Sequence, residues 1–534
     1  MGRLGMWRRK VGQCVLRTGF AFVLAGFLAG AVPVSRASVP EYGSYELQAR
    51  SNITDGFNLP AGSSFNSGTP AISSAAVVTF RLLVVGNTGN GGLWYGSAGL
   101  GSVVYDAPVD RFVGDPAVNS AGVVSFERTF DFLSEGVWIY DPESGATSLR
   151  VPVGGPFGID NFADPEINDS GQIGCRVDLG AVQAYIVDDA GTQTQYAAEG
   201  SGGVGYLFVA RFNDALQLAG KVRLGGTAES LPDEIRRYEP GGGWTTIAVD
   251  QDGDPGSVFT RFGNGVDLSD NGWVAFTATV ADGEGVFLSD GTTTRTIATV
   301  ANPEISGIDF FHPAVNDDGL VAFRAFDAAG LRAIFAGDGT TLRRVVTEHD
   351  ILPTDRGEAR VDQNDNSPVF GGNPAINARG DVAFAASLTP PDNNQIEWGS
   401  GMFIAYAGDP AGLADEAGSA PSEPRWRTEP NPFRETIQME WTAPLGSELD
   451  VNFTVHDLSG RLLRRLIPNI RRDRAQLDPG IGVNIDTDSD AGPLVRLIWD
   501  GRDESGRPVP AGVYYVRSGG IRDAAEGVKI VRTR

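Results

Sequence analysis

One phrase returns along this chain at a spacing that leaves few folds open. Its clearest copies are Pro116-Ala-Val-Asn119-Ser-Ala-Gly122-Val-Val-Ser-Phe126, Pro313-Ala-Val-Asn316-Asp-Asp-Gly319-Leu-Val-Ala-Phe323 and Pro374-Ala-Ile-Asn377-Ala-Arg-Gly380-Asp-Val-Ala-Phe384. Looser copies run from Pro70 to Phe80 with Ser73, Pro165 to Cys175 with Asn168 and Gly171, Phe212 to Gly220 with Asn213, and Val266 to Phe276 with Ser269 and Gly272. The anchors 73, 119, 168, 213, 269, 316 and 377 lie 46, 49, 45, 56, 47 and 61 residues apart. That is close to the length of one four-stranded propeller blade.

The phrase reads as a β-hairpin. Pro-Ala-Val ends a short strand, Asn-x-x-Gly turns the chain, with Gly free to take positive φ and Asn able to bond its own backbone, and a second strand follows. In that strand Val124 and Phe126, Val274 and Phe276, or Val321 and Phe323 flank a small residue, Ser125, Ala275 or Ala322. Successive side chains point to opposite faces, so one face is bulky, the other small, and neither is expected to be charged. A blade packed between two neighbours meets that pattern. Third strands follow at Gly92–Tyr95, Gly136–Ile139, Ala184–Val187, Gly285–Leu288, Ala333–Phe335 and Gly401–Ile404, several running through Asp-Gly into a fourth. The seventh repeat has no fourth strand of its own, and Tyr45–Arg50 is expected to supply it, closing the ring.

Gly (71) and Pro (31) make up about a fifth of the 534 residues without a collagen period, which suits short strands and turns. The repeat region resembles the tandem NxxGxxAF repeat proteins, exported bacterial proteins with varied C-terminal anchors. The resemblance implies export and surface display, not a reaction.

Residues 1–37 hold a basic start, an apolar run from Phe20 to Val34 and the small-x-small site Ser35-Arg36-Ala37, and are read as a cleaved signal peptide. No later segment is long and apolar enough to span a bilayer. Loss of the leader removes six basic residues and no acid, taking the net charge from −24 to −30 and excluding nucleic acid as a partner. Cys175 then stands alone, so no intramolecular disulfide forms. The expected location is secreted or at the outer cell surface.

The propeller is placed at residues 38–406, a linker at 407–428 and a second domain at 429–534. That domain carries Pro430-Asn-Pro-Phe433, Leu449 to Asp457, Trp499-Asp-Gly-Arg-Asp-Glu-Ser-Gly506, Gly512-Val-Tyr-Tyr515 and Lys529-Ile-Val531. It resembles the immunoglobulin-like domain of the flagellar hook-capping protein FlgD and is similar to C-terminal type IX sorting domains. The fold class is therefore all-β, a seven-bladed β-propeller followed by a small immunoglobulin-like β-sandwich.

Chemistry is sparse. Oxygen-rich loops suited to calcium occur at Asp250, Asp252 and Asp254, at Asp362 to Asn366, and at Asp486, Asp488 and Asp490, none with Glu at the twelfth position. The repeated Asn residues read as turn formers, Cys175 as a core thiol in place of the template Phe, and Trp94 and Trp138 as core. His312, His349 and His456 are too scattered for a zinc site or a triad, and no Gly-x-Ser-x-Gly elbow occurs. No cofactor is required. The expected role is binding a surface polymer, glycan or protein; the rival, a polysaccharide hydrolase or lyase, needs acids converging at one mouth of the ring.

Overall fold

The computed structural model describes residues 39–408 and 425–533, apart from residues 53, 66–67, 87, 310 and 365–366 in the first span and 430–432, 435, 443–451, 458–461, 468–480, 487–493 and 520–526 in the second. The leader at 1–37 and most of the linker lie outside the described residues. The chain is all-β: no helix occurs among the described residues. It divides into two compact units, Met1–Ala411 and Gly412–Arg534.

Among its described residues the first unit holds seven antiparallel sheets, one for each copy of the phrase. In the third sheet, for example, Asn161–Ile167, Ile173–Leu179, Val182–Asp189 and Thr192–Ala198 pair in sequence order, as do Val204–Phe212, Leu218–Leu224, Asp233–Tyr238 and Trp244–Val249 in the fourth. The anchor turn joins the first two strands. In it the side-chain oxygen of Asn119, Asn168, Asn213, Asn316 or Asn377 accepts the N–H four residues on, at 2.8–3.0 Å, and Ser73 and Ser269 do the same through hydroxyls. The Asn amide then donates to a neighbouring sheet: Asn119 to Asn168 O, Asn213 to Ser269 O, Asn316 to Asn377 O, and Asn377 to Ser73 O. One short side chain both closes its turn and ties it to the next.

Hydrophobic packing repeats the same succession. Val78, Phe80 and Leu82 of the first sheet share a core with Ala383 and Ala385 of the seventh; Phe276 packs with Ala219, Phe323 with Ala275 and Phe384 with Ala322. Each bulky face fills against the small face of the preceding sheet, so the seventh meets the first and the arrangement is propeller-like. Where a copy departs from the template, the neighbour compensates. The fourth sheet has Gly220 in place of Phe, and a Cβ there would lie 2.3 Å from the Tyr185 hydroxyl, which fills the space from the third sheet and donates to Phe208 O at 2.6 Å.

Tyr42–Ser51 pairs antiparallel with Gly399–Ala407, setting Tyr45 opposite Ala405 and Arg50 opposite Gly401. The seventh sheet also gains a hairpin, Ile351–Thr354 and Gly357–Val361, joined through Arg360 opposite Thr389.

Two expectations need correction. The small face does carry charge: one residue past the template Phe stand Arg81, Glu127, Arg176, Lys221 and Arg324, with Lys221 and Arg324 each 2% exposed. They reach the next sheet's first strand, where backbone carbonyls and polar side chains need partners: Arg176 donates to Leu207 O (3.2 Å), Lys221 to Asn264 Oδ1 (3.0 Å) and Arg324 to Gly372 O (2.8 Å). Second, the stretch read as a linker to residue 428 ends in a strand, Arg425–Glu429, whose ladder with Ile437–Thr442 satisfies its backbone.

In the second unit Arg425–Glu429, Ile437–Thr442, Leu494–Trp499 and Ile481–Asp486 form one four-stranded sheet; Leu462–Ile467, Asn452–Asp457, Gly512–Gly519 and Gly527–Arg532 form another. They share one core, with Met439, Trp441, Leu497 and Trp499 from the first and Phe453, Val455, Val516 and Ile530 from the second. The turn after Trp499 is held by the Asp503 carboxylate, which accepts the Ser505 and Arg507 N–H groups at 2.9 Å.

Candidate functional site

The site forms where the first strand of a sheet loses its regular pairing. Proline has no N–H to give the ladder, and the first strand of a sheet is irregular there. Register shifts lie between Ala163 and Glu166 and between Gly371 and Ala375, and the strand is broken between Val113 and Ala117 and between Ile308 and Ala314. The fourth and fifth sheets, whose phrases lack Pro, shift between Leu207 and Ala210 and between Phe262 and Val266. The residues just before the Pro positions, among them Asp115, Asp164, His312 and Asn373, line a shared cavity of about 460 Å³ together with the anchor turns of all seven sheets. Asp164 holds φ at 44°, a left-handed conformation unusual for a side chain with a Cβ.

At the heart of the cavity lies Arg211. Its Nη1 donates to Glu166 Oε1, its Nε faces Asp267 Oδ1 at 3.7 Å, and its Nη2 lies 2.8 Å from His312 Nε2. A guanidinium only donates, so His312 Nε2 accepts, from Arg211 and from Asn373 Nδ2, and the ring proton sits on Nδ1, 3.2 Å from Pro313 O. Burial, reinforced by the Arg211 charge, pushes the His312 pKa down to about 3, so the ring stays neutral. Burial also raises Glu166 and Asp267 despite the opposing pull of Arg211, while the two acids outweigh burial at Arg211 and raise it. Asp267 Oδ2 accepts the Val315 N–H at 2.7 Å, which fixes its orientation. Asp115 pairs with Arg81 at 2.7 Å.

One layer out, the residue after the anchor is Asp in four consecutive sheets. Asp169, Asp214, Asp270 and Asp317 each accept, through Oδ1, a backbone N–H of the preceding sheet's turn at 2.7–2.8 Å. Burial, then the neighbouring acids, push Asp270 up to about 6. Among the described residues the lining thus sets eight carboxylates against the Arg211 guanidinium, with Arg81 reaching Asp115 from behind.

Residues 220–425 match a family of unknown function (DUF7453). No curated protein matches. Among solved structures, puromycin hydrolase aligns at 12% identity over 77% of this chain and 63% of its own, TM-score 0.43. The chain therefore spans less than two thirds of that protein's length. Oligogalacturonate lyase in complex with manganese aligns at 9% identity, 70% and 99% coverage and TM-score 0.40; the Aleuria aurantia lectin, a six-bladed β-propeller, at 12%, 53% and 95%, and 0.31. At these scores they bear on neither activity nor ligand.

The loops singled out for calcium lie elsewhere. Asp250 follows the fourth sheet's outermost strand, and its two oxygens accept the Asp233 and Gly253 N–H groups at 3.0 Å each; Asp254 accepts Gly256 N–H, and Asp252 is exposed. Among the described residues these three do not gather around a common point. Asp486 ends a strand, while Asp488, Asp490, Asp365 and Asn366 lie outside the described residues. Trp94 is buried and stacks on Phe80; Trp138 is half-buried under Arg128; Cys175 is buried, which pushes its thiol pKa up.

Sequence reading missed Glu166, Arg211 and Asp267, yet a signal was present. All three occupy the Ala position of Pro-Ala-Val, and in the loose copies of three successive repeats that small residue becomes charged. Departures from a repeat, not its agreements, marked the site.

Proposed function

We propose that this chain is an exported binding protein, a seven-bladed β-propeller that offers its axial cavity to a ligand, followed by a FlgD-like immunoglobulin-like module for attachment or sorting at the bacterial surface. The closed succession of sheets and the two-sheet core of the second unit support that architecture. The cavity carries the binding reading. Its volume is that of small-ligand sites, and its eight carboxylates outnumber the two guanidiniums that meet them, Arg211 between Glu166 and Asp267 and Arg81 on Asp115. Such a field selects cationic, donor-rich groups. The ligand class is therefore cationic, and the amine-bearing end of a glycan is the member of that class put to test.

Calorimetric titration of the full exported chain with glucosamine oligomers, their N-acetylated forms and oligogalacturonate tests this. Only the amine-bearing oligomers are expected to bind, more weakly as salt rises and in Asp270→Asn. Equal binding of all three, or none, overturns the reading. Attachment is tested by deleting residues 421–534, which is expected to release the protein from the cell fraction; unchanged fractionation contradicts it.

A second reading, a polysaccharide hydrolase or lyase, is favoured by one observation. Glu166 and Asp267 face the same guanidinium, which holds their carboxyls no more than roughly 9 Å apart, inside the upper limit for carboxylate pairs that cleave glycosidic bonds. New reducing or unsaturated ends in the same incubations, lost in Glu166→Gln, would establish it; their absence removes it.

A further inference from the structure

Away from the axis, Glu348, His349 and Asp362 bring one ligand atom each to within 4.8 Å of one another, the only such group of three or more among the described residues. Glu348 and His349 follow the outermost strand of the sixth sheet, Leu342–Thr347; Asp362 follows Gly357–Val361 in the hairpin attached to the seventh. Chain separation hid the group from sequence reading. The sequence places Asp362 in an acidic loop running forward to residue 366, whereas its neighbours in space lie upstream.

The two carboxylates are arranged like supported ligands. Glu348 Oε2 accepts the Arg332 N–H at 3.1 Å and Asp362 Oδ1 the Gln363 N–H at 2.8 Å, so each has one oxygen held by the backbone. The Asp362 side chain is 6% exposed, and its Oδ2 is shielded from solvent without a hydrogen bond. That oxygen faces His349 Nε2 at 3.7 Å, beyond hydrogen-bond reach. Ligands bound at 2.0–2.2 Å to one ion stand about 3.0–4.4 Å apart, so only a small closure is needed. Arg360 competes for the same oxygen: its Nε lies 3.3 Å from Asp362 Oδ2, makes no hydrogen bond, and belongs to a side chain 31% exposed that can turn to solvent.

We propose that Glu348, His349 and Asp362 bind a first-row divalent cation of the zinc or manganese type, water completing its coordination, and that the ion staples the sixth sheet to the hairpin of the seventh. One imidazole nitrogen with two carboxylates suits such an ion; calcium takes six to eight oxygens. The staple would act at the ring closure, because the same hairpin holds Arg50 of the closing strand through Asp355, with both hydrogen bonds at 2.8 Å.

The test uses the full chain, stripped with chelator and dialysed. Zinc and manganese chlorides are titrated calorimetrically, bound metal is counted, and melting is followed with and without metal. One ion per chain is expected, with a higher Tm when loaded and no comparable response to calcium. His349→Ala and Glu348→Gln, both at positions not buried, should each weaken binding about tenfold or more and abolish the Tm rise, while Arg360→Gln should strengthen binding. Wild-type metal uptake no greater than that of both variants, an equal response to calcium, or loss of the ion in Asp252→Asn instead overturns the proposal.

Discussion

Glu127 shows how a single buried acid responds to its place in a repeat. It occupies the position after the template Phe, where Arg81, Arg176 and Arg324 stand in other sheets. Burial pushes its pKa up to about 7, with Asp164 and Asp178 adding and the Ser134 hydroxyl and Phe162 backbone opposing. Between the ordinary value of 4.5 and 7 the folded chain holds a proton that the unfolded chain has lost, so stability falls as pH rises through that window and is flat above it. Glu127→Gln should therefore gain stability over wild type from pH 4.5 to 7, reaching about 1–2 kcal/mol, in urea melts run across pH. A constant difference would show that the carboxyl is not held protonated. Arg211→Met has the opposite effect. It strands Glu166 and Asp267, whose pKa values already sit high, and should cost about 3–5 kcal/mol at pH 8. The loss should shrink toward pH 5, where the folded state keeps the protons its raised carboxyls favour; urea melts at the two pH values check both size and sign.

At the scale of elements, the hairpin of each phrase was legible because its determinants are local. Asn119 bonds the N–H four residues on, Gly122 takes φ of 78°, and both follow from residues inside one turn. The face pattern was legible for the same reason. What escaped was the contact of Arg176, Lys221 and Arg324 with a neighbouring sheet, since their partners lie 31 to 48 residues away. The junction of the closing strand with Gly399–Ala407 shows how tightly such pairings are built. Gly399 has φ of 96°, and a Cβ there would sit 1.7 Å from Ser51 O. Gly399→Ala should destabilise the first unit by roughly 2–4 kcal/mol, because both backbone conformation and strand separation resist. A thermal melt within 1 °C of wild type would refute this packing.

For the whole molecule, the closing strand brings together residues some 300 apart in sequence. Tyr45 donates to Val345 O at 2.7 Å, Tyr42 to Gly380 O at 2.9 Å, and Arg50 grips Asp355. Deleting Tyr42–Ser51 should leave Gly399–Ala407 as an open edge, lower the urea midpoint and drive self-association seen by light scattering. A monodisperse variant with an unchanged midpoint would mean that the edge is protected by other means.

By itself the sequence determined the period, the hairpin, the bulky and small faces and the segment that completes the last sheet, because strand alternation and turn chemistry act over a few residues. Only the tertiary structure decided that Glu166, Arg211, Asp267 and His312 meet, and that His349 stands beside Asp362. Positions of equal rank in separate repeats become neighbours only when successive sheets pack on one another; the electrostatic coupling of Glu166, Arg211 and Asp267 is a property of that packing, which no single repeat contains.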